Sequence, residues 1–152
     1  MAGIKIIAKN RRAYFEYNIT EKYEAGIVLQ GTEVKSIRSG KVSLGEGWVD
    51  VDANYEVLLK QVHVSHYKFG NIFNHEEQRP RKLLLKKKQI YKLAESIQSK
   101  GFSVIPLKVY AKNQLIKVEI GLGKGKKLHD KRESGKAKDA QRDIERALKI
   151  KV

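Results

Sequence analysis

Two apolar rows in alternation constrain this chain most. Ile105, Leu107 and Val109 recur at every second position of Phe102–Tyr110, and Ile116, Val118 and Ile120 do the same in Leu115–Leu122. Side chains of an extended chain alternate between faces, so each row reads as the buried face of a strand, and the polar break between them predicts a hairpin. Pro106 cannot donate to a sheet ladder, which places it at an edge or a barrel corner. Directly after the second row the chain changes character. Gly121–Arg132 reads GLGKGKKLHDKR, a glycine-loosened cationic hinge, and Glu133–Val152 scatters a few large aliphatics among charges. The sequence therefore divides into a folded body, residues 1–122, and a basic tail, residues 123–152.

Other elements are expected around that hairpin. Met1–Asn10 reads as a loosely held leader, and Ala13–Ile19 as an aromatic-rich strand. Thr20, Glu21, Tyr23, Glu24 and Ala25 suit a short capped helix stopped by Gly26. Ile27–Val34 reads as a strand bent at Gly31. Trp48–Val51 and Glu56–Val62 are strands around a turn at Asp52–Asn54, and Asn71–Pro80 is a loop. Leu84–Lys100 is the clearest helix, with Ile90, Leu93, Ala94 and Ile97 at helical spacing and Gly101 as its stop. Short strands with few helices predict an α+β class, mainly β, with a compact barrel. In the tail, Ala137, Ala140, Ile144, Ala147 and Leu148 form a narrow, alanine-dominated stripe. Such a helix is marginal in water, so the tail is expected to be disordered alone and helical when bound.

Charge narrows the partner. The chain has 152 residues and a net charge of +15, of which +6 falls from Gly123 onward and +9 before it. Both parts are cationic, which points to one kind of polyanion, nucleic acid before an acidic membrane surface. The absence of cysteine excludes disulfides and thiolate metal sites and fits a reducing compartment. The N-terminus lacks the apolar run of a secretory signal, and no stretch approaches the roughly 20 apolar residues of a membrane span, so a cytoplasmic protein without a membrane role is expected.

Each motif has a bland alternative. GLGKGKK resembles a phosphate loop, yet Lys127 and Leu128 stand where a magnesium-holding Ser or Thr belongs, so triphosphatase chemistry is not expected. Lys124, Lys126 and Lys127 suit phosphate contact better than a solvated hinge does. His63 and His66 have a metal-like gap, but as strand residues they would face opposite ways, and no metal or cofactor is expected. Asp50 and Asp52 lack the companions a two-metal nuclease needs. Arg81, Lys82 and the lysines Lys86–Lys88 crowd the start of the predicted helix, where cations oppose the macrodipole, so the cluster fits an anion site. Asn10, Arg11 and Arg12 form a second basic cluster. Tyr14, Tyr17, Tyr23, Trp48 and Tyr67 are candidates to stack on bases or to cover the core.

Four ordered segments, NRRAYFEYNI at Asn10–Ile19, YEAGIVLQGTEVKSIRSGK at Tyr23–Lys41, RPRKLLLKK at Arg79–Lys87 and LGKGKKLHDKR at Leu122–Arg132, resemble the small protein B family, the SsrA-binding proteins of bacterial trans-translation. The resemblance runs over nearly the whole body. It implies an antiparallel barrel of the oligonucleotide-binding type with accessory helices, and no enzymatic activity. It implies that the body binds the tRNA-like domain of tmRNA, with Glu24, Lys35, Leu84, Leu85 and Lys86 at the RNA site. Lys86 stands where many relatives carry His or Asn. It further implies that His129, Asp130, Lys131 and Arg132 meet decoding-centre rRNA, that the tail with Ile144, Leu148 and Ile150 enters the empty mRNA channel, and that elongation factor Tu is met indirectly through alanyl-tmRNA. A ribosomal or general structured-RNA binder is the competing reading, and a metal-dependent nuclease a distant third.

Overall fold

Asn113 and Gln114 both take positive φ, 52° and 68°, the geometry that lets two strands turn back with matching twist. They join strands β8 (Phe102–Lys112) and β9 (Leu115–Gly125), which pair antiparallel from Phe102↔Lys124 to Lys112↔Leu115. This is the hairpin the sequence predicts, extended at both ends. A computed structural model describes residues 3–70, 74–99 and 101–126 of the chain. The tail positions Lys127, His129, Asp130, Lys131, Arg132, Ile144, Leu148 and Ile150 lie outside them.

The remaining elements are β1 (Ile4–Lys9), α1 (Arg11–Glu16), β2 (Tyr17–Ile27), α2 (Gly31–Arg38), β3 (Val42–Ser43), β4 (Trp48–Val51), β5 (Val57–Lys60), β6 (His63–Val64), β7 (Arg81–Leu84) and α3 (Lys87–Gln98). Seven strands form one sheet in the order β1-β8-β4-β5-β7-β2-β9, and β9 also pairs with β8, so the ladder returns to its second strand, with β1 flanking β8. β3 and β6 make a separate pair. The protein is mainly β with a few helices. Ala25, Leu59, Leu83, Val104, Val118 and Ile120 lie in the main core, each no more than 1% exposed.

Several expected elements differ. The supposed leader is β1, paired with β8 from Ile4↔Lys112 to Lys9↔Lys108. Ala13–Glu16 is helical because the Asn10 side chain accepts from the Ala13 amide at 3.2 Å and caps the turn. Thr20–Ala25 is strand, since β2 pairs with β9 from Tyr17↔Gly125 to Gly26↔Lys117, with a register shift between Ile19 and Glu21, and with β7 at Gly26↔Leu84. Gly31 opens a helix rather than bending a strand. Glu33 Oε1 accepts from the Gln30 amide at 2.8 Å, a backward cap visible in Gln30–Glu33. The predicted long helix begins only at Lys87, because Arg81–Leu84 pairs with β5 and β2 as β7.

The inward row of β8 is split by a bulge. The β8–β9 register shifts between Pro106 and Lys108, which leaves Leu107 as an extra residue. Ile105 and Leu107 consequently pack on Ala13, Tyr17 and Ile19 in a second cluster, while Val109 joins the main core. Gly121 and Gly123 sit buried under that second cluster. A Cβ on Gly121 would lie 2.7 Å from Leu107 Cδ1, and one on Gly123 2.7 Å from the Asn18 carbonyl oxygen. These glycines admit close packing; they do not loosen a hinge.

Candidate nucleic-acid interface

The register Gly26↔Leu84 brings β2 against β7 and sets the site. A Cβ on Gly26 would lie 3.3 Å from that of Leu84, so glycine leaves a recess beside the leucine. Glu24, Gly26, Leu84, Leu85, Lys86, Gln89 and Lys117 line an open groove of about 460 Å³. Four elements contribute: Glu24 comes from β2, Lys117 from β9 opposite Gly26, Leu84 from the end of β7 with Leu85 just after it, and Gln89 from α3. Lys86 caps α3, where its amide donates to Gln89 Oε1 at 3.1 Å. Leu84 stays 52% exposed, an apolar surface left uncovered among cations.

Glu24 is held as an anion. The hydroxyl of the buried Tyr110 favours its charged form, and Lys112 Nζ stands 3.4 Å from Oε2. Against a smaller opposing effect of burial, these hold the carboxyl below the usual carboxylate range. Burial and the same Glu24 contact push the Tyr110 phenol up, so it stays a donor across the ordinary pH range. The groove thus offers one fixed acceptor, two leucine surfaces and lysines at its rim. An ionised carboxylate can accept from base amino groups, and ammonium groups suit phosphates.

Of the expected contacts, Glu24, Leu84, Leu85 and Lys86 meet in this groove. Lys82 is exposed on the outer face of β7, 3.8 Å from Glu56. Arg81 is corrected: its side chain is fully buried, Nε donates to Glu33, and Nη1 donates to the Val62 carbonyl at 2.8 Å. It holds the fold and reaches no surface. Asn10 is corrected likewise. It is 6% exposed, and its Nδ2 donates to the Pro106 carbonyl at 2.9 Å. Arg11 is exposed, but Arg12 bridges Glu16 at 2.7 Å and Glu46 at 3.1 Å, which competes with any phosphate. Lys35 Nζ lies 5.3 Å from the Tyr67 ring centre, and Lys124 Nζ 4.7 Å from that of Phe102. Lys126 donates from its amide to the Glu16 carbonyl at 2.7 Å and from Nζ to the Tyr14 carbonyl at 3.0 Å.

Sequence reasoning missed Tyr110, Lys112, Gln89 and Lys117. The alternation of β8 and β9 carries the signal for three of them, since Tyr110, Lys112 and Lys117 are the polar positions of two apolar-in strands. A larger cleft, about 510 Å³, lies beside α1 and β4, but Glu16, Glu46 and Asp50 line it together with Arg12, a poor surface for a polyanion. Asp50 pairs with Lys60 at 3.1 Å, and Asp52 Oδ1 accepts from the Asn54 and Glu56 amides, so both acids serve the β4–β5 hairpin. His63 and His66 do not face opposite ways: both approach Glu77, at 2.7 and 3.8 Å. Among the described residues no cluster of His, Asp and Glu could hold a metal ion.

A small cationic β protein with a leucine-floored, lysine-rimmed groove around a fixed carboxylate has the surface chemistry of the nucleic-acid-binding class. Within that class, the family model described as SmpB protein matches residues 7–150, and the chain belongs to that family. The SsrA-binding protein of Carboxydothermus hydrogenoformans is 52% identical over 147 residues, covering 97% of this chain and 98% of the relative. That of Shouchella clausii is 54% identical over 148 residues, covering 97% and 94%. A solved structure described as "tmRNA-SmpB: a journey to the center of the bacterial ribosome" is similar at a TM-score of 0.68 and 39% identity. It covers 83% of this chain and 92% of that one.

Proposed function

We propose that this chain binds tmRNA through its tRNA-like domain and delivers it to stalled ribosomes for trans-translation, the rescue and tagging of unfinished peptides. The observation that carries the reading is the groove in which Glu24, held ionised by Tyr110 and Lys112, faces Leu84, Leu85 and Lys86. The SsrA-binding relatives and the tmRNA-SmpB structure support tmRNA and the ribosome as its partners.

In this reading the returning ladder is a barrel of the oligonucleotide-binding type, and residues 1–122 are the RNA-binding body. Glu24 accepts from the amino group of a base, the exposed leucines pack against the ribose and base, and Lys82, Lys86 and Lys124 neutralise phosphates. Lys127 continues that contact. His129, Asp130, Lys131 and Arg132 meet decoding-centre rRNA on the small subunit. The tail, with Ile144, Leu148 and Ile150 on one stripe, folds as a helix in the vacant mRNA channel, and elongation factor Tu joins through alanyl-tmRNA. The chain acts by binding alone, in the cytoplasm. No helix among the described residues is long and apolar enough to cross a membrane.

Competition between the tRNA-like domain of tmRNA and an unrelated structured RNA of equal length tests this function. Preference for the former is expected, and equal affinity would establish a general RNA binder instead. Truncation after Lys126, which keeps all of β9, tests the division of labour. Tagging on stalled ribosomes is expected to be lost while affinity for the tRNA-like domain stays; loss of both would overturn the body-and-tail assignment.

A further inference from the structure

The connection after β6 holds an apolar ring out in water. Phe69 is 74% exposed, more than any other large apolar side chain described. The loop that presents it is tightly built. Asn74 Oδ1 accepts from the Tyr67 amide at 3.2 Å, and its Nδ2 donates to the carbonyls of Tyr67 at 2.8 Å and Gly70 at 3.1 Å. The Gly70 amide returns to the Tyr67 carbonyl at 2.9 Å. A Cβ on Gly70 would lie 2.7 Å from Asn74 Nδ2, so the turn closes directly on that side chain. These bonds fix the backbone on either side of Phe69, at Tyr67 and Gly70.

Two lysines border the Tyr67–Phe69 pair. Tyr67 and Phe69 meet edge-on with centroids 5.7 Å apart. Lys68 Nζ stands 5.7 Å from the Phe69 centroid, and Lys35, arriving from α2, stands 5.3 Å from that of Tyr67. Ser65–Gly70 contains no carboxylate. A flat exposed ring beside two ammonium groups that form no ion pair among the described residues suits a partner that is both planar and anionic, an unpaired nucleobase with its phosphates. These side chains come from α2 and the β6–β7 connection, none of which lines the groove at Glu24.

We infer that the Ser65–Gly70 loop is a second RNA contact, in which Phe69 stacks on an unpaired base while Lys35 and Lys68 neutralise the flanking phosphates. It rests on the RNA-binding reading above and adds a contact with a different selectivity. The groove reads a base edge beside a carboxylate; the loop takes any base that is free to stack.

The test uses the full chain and three labelled RNAs: the tRNA-like domain of tmRNA, a short single strand of mixed sequence, and a blunt duplex without unpaired bases. Phe69→Ala should weaken single-strand binding on the order of ten-fold and leave the duplex unchanged, whereas Phe69→Trp should keep or tighten it. Lys68→Gln should weaken both and flatten the salt dependence on the single strand by about 0.7 in log–log slope. Equal melting temperatures of the variants exclude a folding effect. If Phe69→Ala leaves the single strand unaffected, or weakens duplex and single strand alike, stacking is overturned. If it instead abolishes capture of a polyglutamate peptide with RNA affinity intact, the loop serves an acidic protein and the inference falls. Failure of the unmodified chain to bind the tRNA-like domain would overturn the proposed function itself, an outcome separate from these.

Discussion

Arg81 donates through Nε to Glu33 with both side chains fully buried, so two oppositely charged groups from β7 and α2 lie inside the molecule. Arg79 adds a second guanidinium to the same carboxylate at 2.6 Å, and the Gln30 amide a further bond at 2.8 Å. The cluster ties α2, the β6–β7 connection and β7 together, so its loss would be felt as stability before it is felt as RNA affinity.

Removing one member leaves the other as an uncompensated buried charge. Arg81→Ala is expected to destabilise the fold by about 3–5 kcal/mol. Urea unfolding followed by circular dichroism measures it, and a loss no greater than that of an exposed Lys→Ala control would contradict the burial argument.

Acid should weaken the same network. Burial raises the Glu33 carboxyl, but hydrogen bonds from Arg79, Gln30 and Arg81 outweigh it and hold the group below its ordinary range. A carboxyl depressed in the folded state stabilises fully above its unfolded pKa, roughly 4.3, and that contribution disappears as pH falls through the folded value. Melting temperature should therefore drop below about pH 4, with a smaller drop in Glu33→Gln, measured against its own value at neutral pH.

At the groove, Glu24→Gln keeps the shape but turns a fixed acceptor into a group that both donates and accepts. Loss of roughly 1–3 kcal/mol in affinity for the tRNA-like domain is expected, the value of one good base contact. Titration at fixed salt measures it, and unchanged affinity would remove Glu24 from the RNA site.

Lys86→Ala should act differently, through phosphate alone. Affinity should fall for every RNA tested, and the slope of log K against log salt should flatten by about 0.7–0.9. Arg12→Ala should leave that slope nearly unchanged, since Glu16 and Glu46 already occupy its guanidinium.

The glycines of β9 give a matched pair. Gly121→Ala forces a methyl into Leu107 and is expected to cost about 1–3 kcal/mol by overpacking. Gly125→Ala meets nothing within 4 Å and should be tolerated. Thermal melts of the two variants distinguish a packed strand from a slack hinge, because a hinge would treat both alike.

What was legible in the sequence was local. The β8–β9 hairpin and the β4–β5 hairpin each join neighbours across a short turn, and α3 carries its own periodicity, so residues a few positions apart decided them. Glu24, Leu84, Leu85 and Lys86 stood out as candidate site residues through the family's motifs. Their juxtaposition did not, because Gly26 meets Leu84 only when β2 and β7 pair. Non-local pairing also overruled the local preferences of Thr20–Ala25, where Glu21 to Ala25 pair with β9 instead of closing a helical turn.

The sequence by itself determined the charge, the apolar alternation that demands a sheet, and the motifs that mark the family. The tertiary structure alone decided which of the basic residues remain outside. Arg81 and Lys82 are adjacent in a strand, and strand geometry sends one inward to Glu33 and the other outward to solvent. Which face is the inside depends on the strands that pair on either side, and no stretch of sequence contains that information locally.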